Sequence, residues 1–151
     1  MNDRQQTEQP PAAAAVGETA PKVVHVAVGA LVNPSGEILL AQRHADAHQG
    51  GLWEFPGGKL EPGETVEHGL KRELREELGV EVTSHRPLIR IHHRYPDRHV
   101  LLDVHRVDAW AGEPHGREAQ PLLWVRPEAL NDRPMPPADE PIVRALQLPS
   151  R

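Results

Sequence analysis

Residues 55–80, FPGGKLEPGETVEHGLKRELREELGV, constrain this chain more than any other stretch. Val66, Leu70, Leu74 and Leu78 recur at every fourth position, so on a helix they form one apolar stripe. Thr65 is placed to cap that helix at its start and Gly79 to stop it. On the same helix Glu73 neighbours both Glu76 and Glu77, because residues three and four apart meet on a helical surface. Like charges at that spacing each cost about 0.2–0.5 kcal/mol in an isolated helix. One reading is a solvated acidic face balanced by Lys71, Arg72 and Arg75. The other is an oxygen cage for a hard divalent cation. Mg²⁺ takes such ligands and keeps waters and substrate phosphates in the rest of its shell. Upstream, Pro56-Gly57-Gly58 makes a sharp turn whose backbone can approach a ligand closely, and a carbonyl there could join the metal shell.

The rest of the chain supplies a core for the apolar stripe. Residues 1–21 are rich in Gln, Glu, Ala and Pro and hold almost no large apolar side chains. That composition cannot offset the entropy of ordering, so a disordered tail is expected there, with one folded domain over 22–151. KVVHVAVGALVNPSGEILLAQR reads as two β-rich runs around the turn Asn33-Pro34-Ser35-Gly36, hence a hairpin with a buried first strand. HADAHQGG is a loop, and LWEFPGG a short strand entering a turn. VEVTSHRPLIRIHHRY and HVLLDVHRVDAWAG read as strands joined near Pro96-Asp97. QPLLWVRPEAL is a strand followed by a short helical turn. Residues 141–148 are a last helix, capped by Asp139 or Glu140 with a Pro in its first turn. The order β-β-β-α-β-β-β-α predicts an α/β (α+β) fold, a mixed sheet covered by helices.

Composition removes several alternatives. A chain of 151 residues is long enough for one domain with a real core and too short for two ordinary ones. Aromatics make up 3%, so the core must be aliphatic. The net charge of -5 gives no basic footprint, and no direct nucleic-acid binding is expected. The absence of cysteine excludes disulfides, thiolate metal sites and a Cys nucleophile. No apolar run approaches the ~20 residues of a membrane span. The N-terminus lacks the pattern of a signal peptide, so the expected location is the cytoplasm. Among the ten histidines, His92, His93, His99 and His105 fall on adjacent predicted strands without zinc spacing, and they read as half-exposed strand residues.

The glycine turn and acidic helix resemble the Nudix hydrolases, which share the pattern G-x5-E-x7-R-E-U-x-E-E-x-G-U, where U is aliphatic. Here it falls on Gly58, Glu64, Arg72, Glu73, Leu74, Glu76, Glu77, Gly79 and Val80 without departure. The resemblance implies the Nudix fold, a mixed β-sheet sandwiched between helices. It also implies a loop-helix-loop that binds Mg²⁺ or Mn²⁺ and cleaves a nucleoside diphosphate linked to another moiety. Glu73, Glu76 and Glu77 would be metal ligands, with the carbonyl of Gly57. Glu64 and Arg72 would hold each other and orient those acids. A pyrophosphate repels nucleophiles through its negative charge. Cations neutralise its oxygens and acidify a bound water, and positioning and charge stabilisation carry most of the transfer.

The likeness extends over residues 22–148 and narrows to MutT-type enzymes. RHADAH at 43–48, EFPGGK at 54–59, PDRH at 96–99, GEPHGREAQP at 112–121 and PPADEP at 136–141 carry it. It implies hydrolysis of 8-oxo-dGTP to 8-oxo-dGMP and pyrophosphate by a monomer acting on a free nucleotide. Arg43 matches a phosphate-binding arginine, and His48 lies in a loop that could close over the nucleotide. Glu118 matches a loop carboxylate that completes the metal site or serves as general base. Phe55, Tyr95 and Arg98 fall where substrate is bound, the last two at the base pocket. Asp139 departs from the pattern, for MutT-type enzymes carry Asn there. An amide can donate to O6 and accept from the N7–H of 8-oxoguanine, whereas an ionised carboxylate only accepts. Three readings stand: Asp139 is protonated in the pocket, the base sits differently, or Asp139 merely caps the last helix. The alternatives to MutT chemistry are another Nudix specificity, for a dNTP, a dinucleoside polyphosphate or a nucleotide sugar, and a non-catalytic sensing domain. The presence of Glu73, Glu76 and Glu77 argues against the last.

Overall fold

β1 (Lys22–Leu31) is buried on both faces along its second half, and this decides the layout. The computed structural model describes residues 22–149, so the tail expected over 1–21 lies outside the described residues. Side chains alternate across a strand. Val28 and Ala30 therefore enter one core, with Ile38, Leu40, Val104, Leu130 and Ile142. Ala27 and Leu31 enter the other, with Leu39, Leu70, Leu74, Leu78 and Val107.

Two sheets surround these cores. In the first, β4 (Gly57–Lys59), β1, β6 (Arg98–Ala111) and β5 (Glu81–Arg94) lie in that order. β1 and β6 run parallel, in register from Lys22↔Arg98 to Leu31↔Val107, while β4 and β5 are antiparallel to their neighbours. In the second, β3 (Trp53–Glu54), β2 (Ile38–Gln42) and β7 (Leu122–Val125) form an antiparallel trio with β2 in the middle. The first sheet is mixed, as expected.

The hairpin expected around Asn33-Pro34-Ser35-Gly36 is corrected. The turn is present: Gly36 has φ 84°, its N–H donates to Asn33 O at 2.8 Å, and Asn33 Oδ1 accepts from Ser35 N and Glu37 N. Beyond it only the bridge Val32↔Ile38 joins the two runs. β1 already has β4 on one edge and β6 on the other, so no edge remains for β2, which enters the second sheet. The β5–β6 pair does form a hairpin around Pro96-Asp97, closed by Tyr95 N–H donating to Arg98 O at 2.8 Å.

α1 (Val66–Leu78) has the expected caps. Thr65 Oγ1 accepts from His68 N at 3.1 Å, and Gly79 adopts the left-handed conformation at φ 71° with its N–H on Arg75 O. Its stripe of Leu70, Leu74 and Leu78 is fully buried. Gly29 lets it sit close to β1, since a Cβ there would come within 3.0 Å of Leu74 Cδ1. α2 (Glu140–Gln147) buries Ile142 and Val143 against the opposite core. Pro141 lies in its first turn, but the Asp139 side chain makes no capping bond. The four-stranded sheet is thus held between α1 on one face and α2 on the other, and the smaller sheet lends Ile38, Leu40 and Val125 to the α2 core and Leu39, Leu122 and Trp124 to the α1 core. Among the described residues no helix is long and apolar enough to cross a membrane.

Candidate active site

Burying Leu70, Leu74 and Leu78 turns the charged side of α1 toward the glycine turn that enters β4. Arg72 organises this side. Its Nε and Nη2 donate to the two oxygens of Glu64 at 2.7 and 2.9 Å. Its Nη1 reaches Glu73 Oε2 at 3.0 Å and Glu76 Oε1 at 3.2 Å, and Nη2 also donates to Lys59 O at 3.1 Å. These bonds push the Arg72 guanidinium pKa up, Glu64 contributing most. They hold the Glu64 carboxyl down at about 2, together with the Glu61 N–H.

Glu77 lies one turn beyond Glu73 and is the buried member of the set. Gly57 N–H points at its Oε1 from 3.4 Å. Loss of water, and then the Glu73 carboxyl beside it and the Glu118 charge nearby, push its pKa up to about 9. The two glycines make room for this. A Cβ on Gly57 would run into Ala27 O of β1, and one on Gly58 would overlap the Glu73 carboxylate.

Glu77 and Glu118 form one wall of a cleft of about 240 Å³ whose other side includes Arg43, His44 and Glu54. Arg43 follows β2. Its Nε donates to Glu54 Oε1 at 2.8 Å and its Nη1 to His48 O at 2.9 Å. His48 therefore contributes its backbone to the Arg43 setting, while its side chain is not part of the cleft wall. Asp139 lies within electrostatic reach of both Glu54 and Arg43. Burial and then the Glu54 charge push its carboxyl up to about 7, against the pull of Arg43.

Other expected residues fall elsewhere. Phe55 is 5% exposed and packs in the core with Val28 and Ile142, because it alternates with the outward-facing Glu54. Tyr95 and Arg98 pair with each other at the β5–β6 turn, the guanidinium 5.3 Å from the ring centre, and neither lines the cleft. Among the lining residues that sequence reasoning missed are Glu54 and Gln120. Glu54 was signalled by the strand alternation that buries Phe55. Gln120 had no signal in its spacing, for its role comes from contacts with Glu77 across the chain.

The donor set suits a hard divalent cation in its chemistry. The cleft takes carboxylates from α1 (Glu77) and from the loop before β7 (Glu118), and burial first, then the neighbouring Glu73 and Glu118 groups, keep the proton on Glu77. As the side chains stand, among the described residues no three acidic or histidine groups gather around one cation position. Arg72 occupies Glu73 and Glu76 in that role. His85 and His105 approach each other by their Nδ1 atoms at 2.9 Å, away from this cleft.

Comparison with known proteins agrees with this arrangement. Residues 27–145 match the family model described as NUDIX domain. The chain is 41% identical over 126 residues to the 8-oxo-dGTP diphosphatase of Escherichia coli (strain K12), covering 83% of this chain and 98% of that one. It is also 41% identical over 125 residues to the CTP pyrophosphohydrolase of the same strain, covering 83% and 92%. Among solved structures it superposes with a TM-score of 0.73 and 36% identity on MutT from a study of Aliivibrio salmonicida and Vibrio cholerae, covering 83% of this chain and 97% of that chain. With the acid-bearing helix and the glycine turn inside the matched span, the chain belongs to the NUDIX domain family.

Proposed function

We propose that this chain is a Mg²⁺- or Mn²⁺-dependent nucleoside triphosphate pyrophosphohydrolase that converts 8-oxo-dGTP to 8-oxo-dGMP and pyrophosphate. The observation that carries the reading is the cleft with Glu77 and Glu118 on one side and Arg43 on the other. It offers anionic oxygens for a cation and a guanidinium for phosphate within one small space. Glu73, Glu76, Glu77 and Glu118 are the residues that would hold the cation. When bound, it supplies charge neutralisation of the phosphate oxygens and a more acidic water. Arg72, braced by Glu64, orients Glu73 and Glu76. Arg43, braced by Glu54 through Nε and by His48 O through Nη1, offers Nη2 to a phosphate oxygen. The substrate is a free nucleotide rather than a nucleic-acid strand, and the enzyme acts as a monomer in the cytoplasm.

Asp139 favours a second reading of the base. A protonated carboxyl donates and accepts, as an amide does, and so can meet O6 and N7–H of 8-oxoguanine. It can equally donate to N3 of cytosine and accept from its N4 amine. The likeness to a CTP pyrophosphohydrolase matches that second pairing.

The deciding experiment is kcat/KM for 8-oxo-dGTP, dGTP and CTP with Mg²⁺, with products identified. Preference for the oxidised nucleotide with release of pyrophosphate supports the first reading. Preference for CTP moves the chain to the second. Negligible rates on all three would reject both.

A further inference from the structure

The last carbonyls of a helix have no partners within it, and the segment 112–121 supplies them for α1. His115 N–H donates to Leu78 O at 3.1 Å, Arg117 N–H to Glu77 O at 3.0 Å, and Arg117 Nη1 to Arg75 O at 3.1 Å. Gln120 does more than the others. Its Nε2 donates to Glu77 O at 3.1 Å while its Oε1 accepts from Glu118 N–H at 2.8 Å. One side chain thus ties together the backbones of the two acids that share the cleft wall. Around it the loop is tightly fitted: a Cβ on Gly116 would run into Gln120 O, and Ala119 sits at φ 63°, a conformation that L side chains seldom adopt. A loop left to itself would relax from that conformation. An amide suits the tie because it both donates and accepts without adding charge beside Glu77.

We propose that Gln120 is a positioning residue that sets Glu118 against Glu77 and so fixes the cation-binding geometry. The inference rests on the reading of Glu118 as a cation ligand. Groups that orient metal ligands from behind typically contribute about 10–100-fold in metal affinity.

The test is direct Mn²⁺ binding by the full chain, read from the electron paramagnetic resonance signal of free Mn²⁺. Thermal unfolding in EDTA serves as the measure of folding. Gln120→Met, which fills the space without either bond, should weaken Mn²⁺ binding about tenfold or more. Arg117→Ala, which removes a different tie between this loop and α1, should leave it within about twofold. Gln120→Asn keeps the amide but is too short to span both partners, so it should show the same loss as Gln120→Met and replaces that variant should it not fold. Wild-type Mn²⁺ affinity in a folded Gln120 variant, alongside weakened binding in Glu118→Gln, overturns the role of Gln120 alone. Unchanged binding in Glu118→Gln overturns the reading of Glu118, and the inference with it.

Discussion

Arg72 grips both carboxylate oxygens of Glu64, through Nε at 2.7 Å and Nη2 at 2.9 Å, and spends its remaining nitrogen on Glu73 and Glu76. The planar fork of a guanidinium matches a carboxylate in this way. Glu64 is further fixed by Glu61 N–H at 2.8 Å and His68 Nδ1 at 2.9 Å. The Arg72 bond first, and then the Glu61 N–H, hold the Glu64 carboxyl at about 2, below its ordinary 4.5. A depressed folded-state pKa contributes stability that is full above pH 4.5 and is lost as pH falls through 2. Wild-type unfolding midpoints should therefore drop over that window. Glu64→Gln should flatten the drop and reduce turnover about 10–100-fold by freeing Arg72. Unfolding followed by circular dichroism between pH 2 and pH 6 checks this, and equal slopes in both proteins would count against it.

Glu77 behaves in the opposite sense. Without a cation its folded pKa of about 9 lies above its ordinary 4.5, so its stabilising share is full below pH 4.5 and is lost as pH rises through 9. In EDTA the melting temperature should fall between pH 6 and pH 9. Added Mg²⁺ should restore it, and most strongly at the alkaline end, because a cation binds the ionised acid. Glu77→Gln should remove both the slope and the Mg²⁺ response, and lower kcat at least about a hundredfold. Near-normal turnover in that variant would take Glu77 out of the cation set.

Gly58 tests the site without testing the fold. Its φ is not in the left-handed region, so the backbone accepts alanine, but the new methyl would overlap the Glu73 carboxylate. That carboxylate is the far end of a flexible side chain and can move aside. Gly58→Ala should keep the melting temperature within about 3 °C, in line with a sub-kcal/mol cost, while displacing Glu73 and cutting kcat by tenfold or more. A fully active Gly58→Ala enzyme would show that Glu73 need not stand where the structure puts it.

The parts of this protein that were legible in the sequence are those fixed by local rules. α1, its two caps and its buried stripe follow from spacing and from Thr65 and Gly79. The grip of Arg72 on Glu64 was foreseen from the family pattern, and the structure supplies its geometry. What was not legible depends on which strand takes which edge. The β1–β2 hairpin failed because β4 and β6 occupy both edges of β1, and neither adjacency is written in the turn Asn33-Pro34-Ser35-Gly36. Phe55 was misplaced for a related reason: strand alternation turns Glu54 to the cleft and Phe55 to the core. Gln120 was invisible because its partners, Glu77 and Glu118, meet only in the folded loop.

Asp139 was open to three readings, and the structure removes one of them, since its side chain does not cap α2. Burial and the Glu54 charge lift its pKa to about 7, so both protonation states exist near neutrality. Because the folded value exceeds the ordinary 3.8, the stability it contributes is full below pH 3.8 and is lost as pH rises through 7. Asp139→Asn should remove that decline and raise the melting temperature at pH 8 relative to wild type. The same substitution tests whether Asp139 reads the base. The neutral acid and an amide both donate and accept, whereas the carboxylate only accepts. On 8-oxo-dGTP the wild-type kcat/KM should therefore fall above pH 7, relative to a flatter profile for Asp139→Asn. On CTP the protonated acid donates to N3 and accepts from N4, and an amide turned the other way can do the same, so both proteins should process CTP at pH 6. Ratios of Asp139→Asn to wild-type kcat/KM across pH 6 to 9 for the two nucleotides provide the measurement. A ratio independent of pH for both would mean that Asp139 does not touch the base.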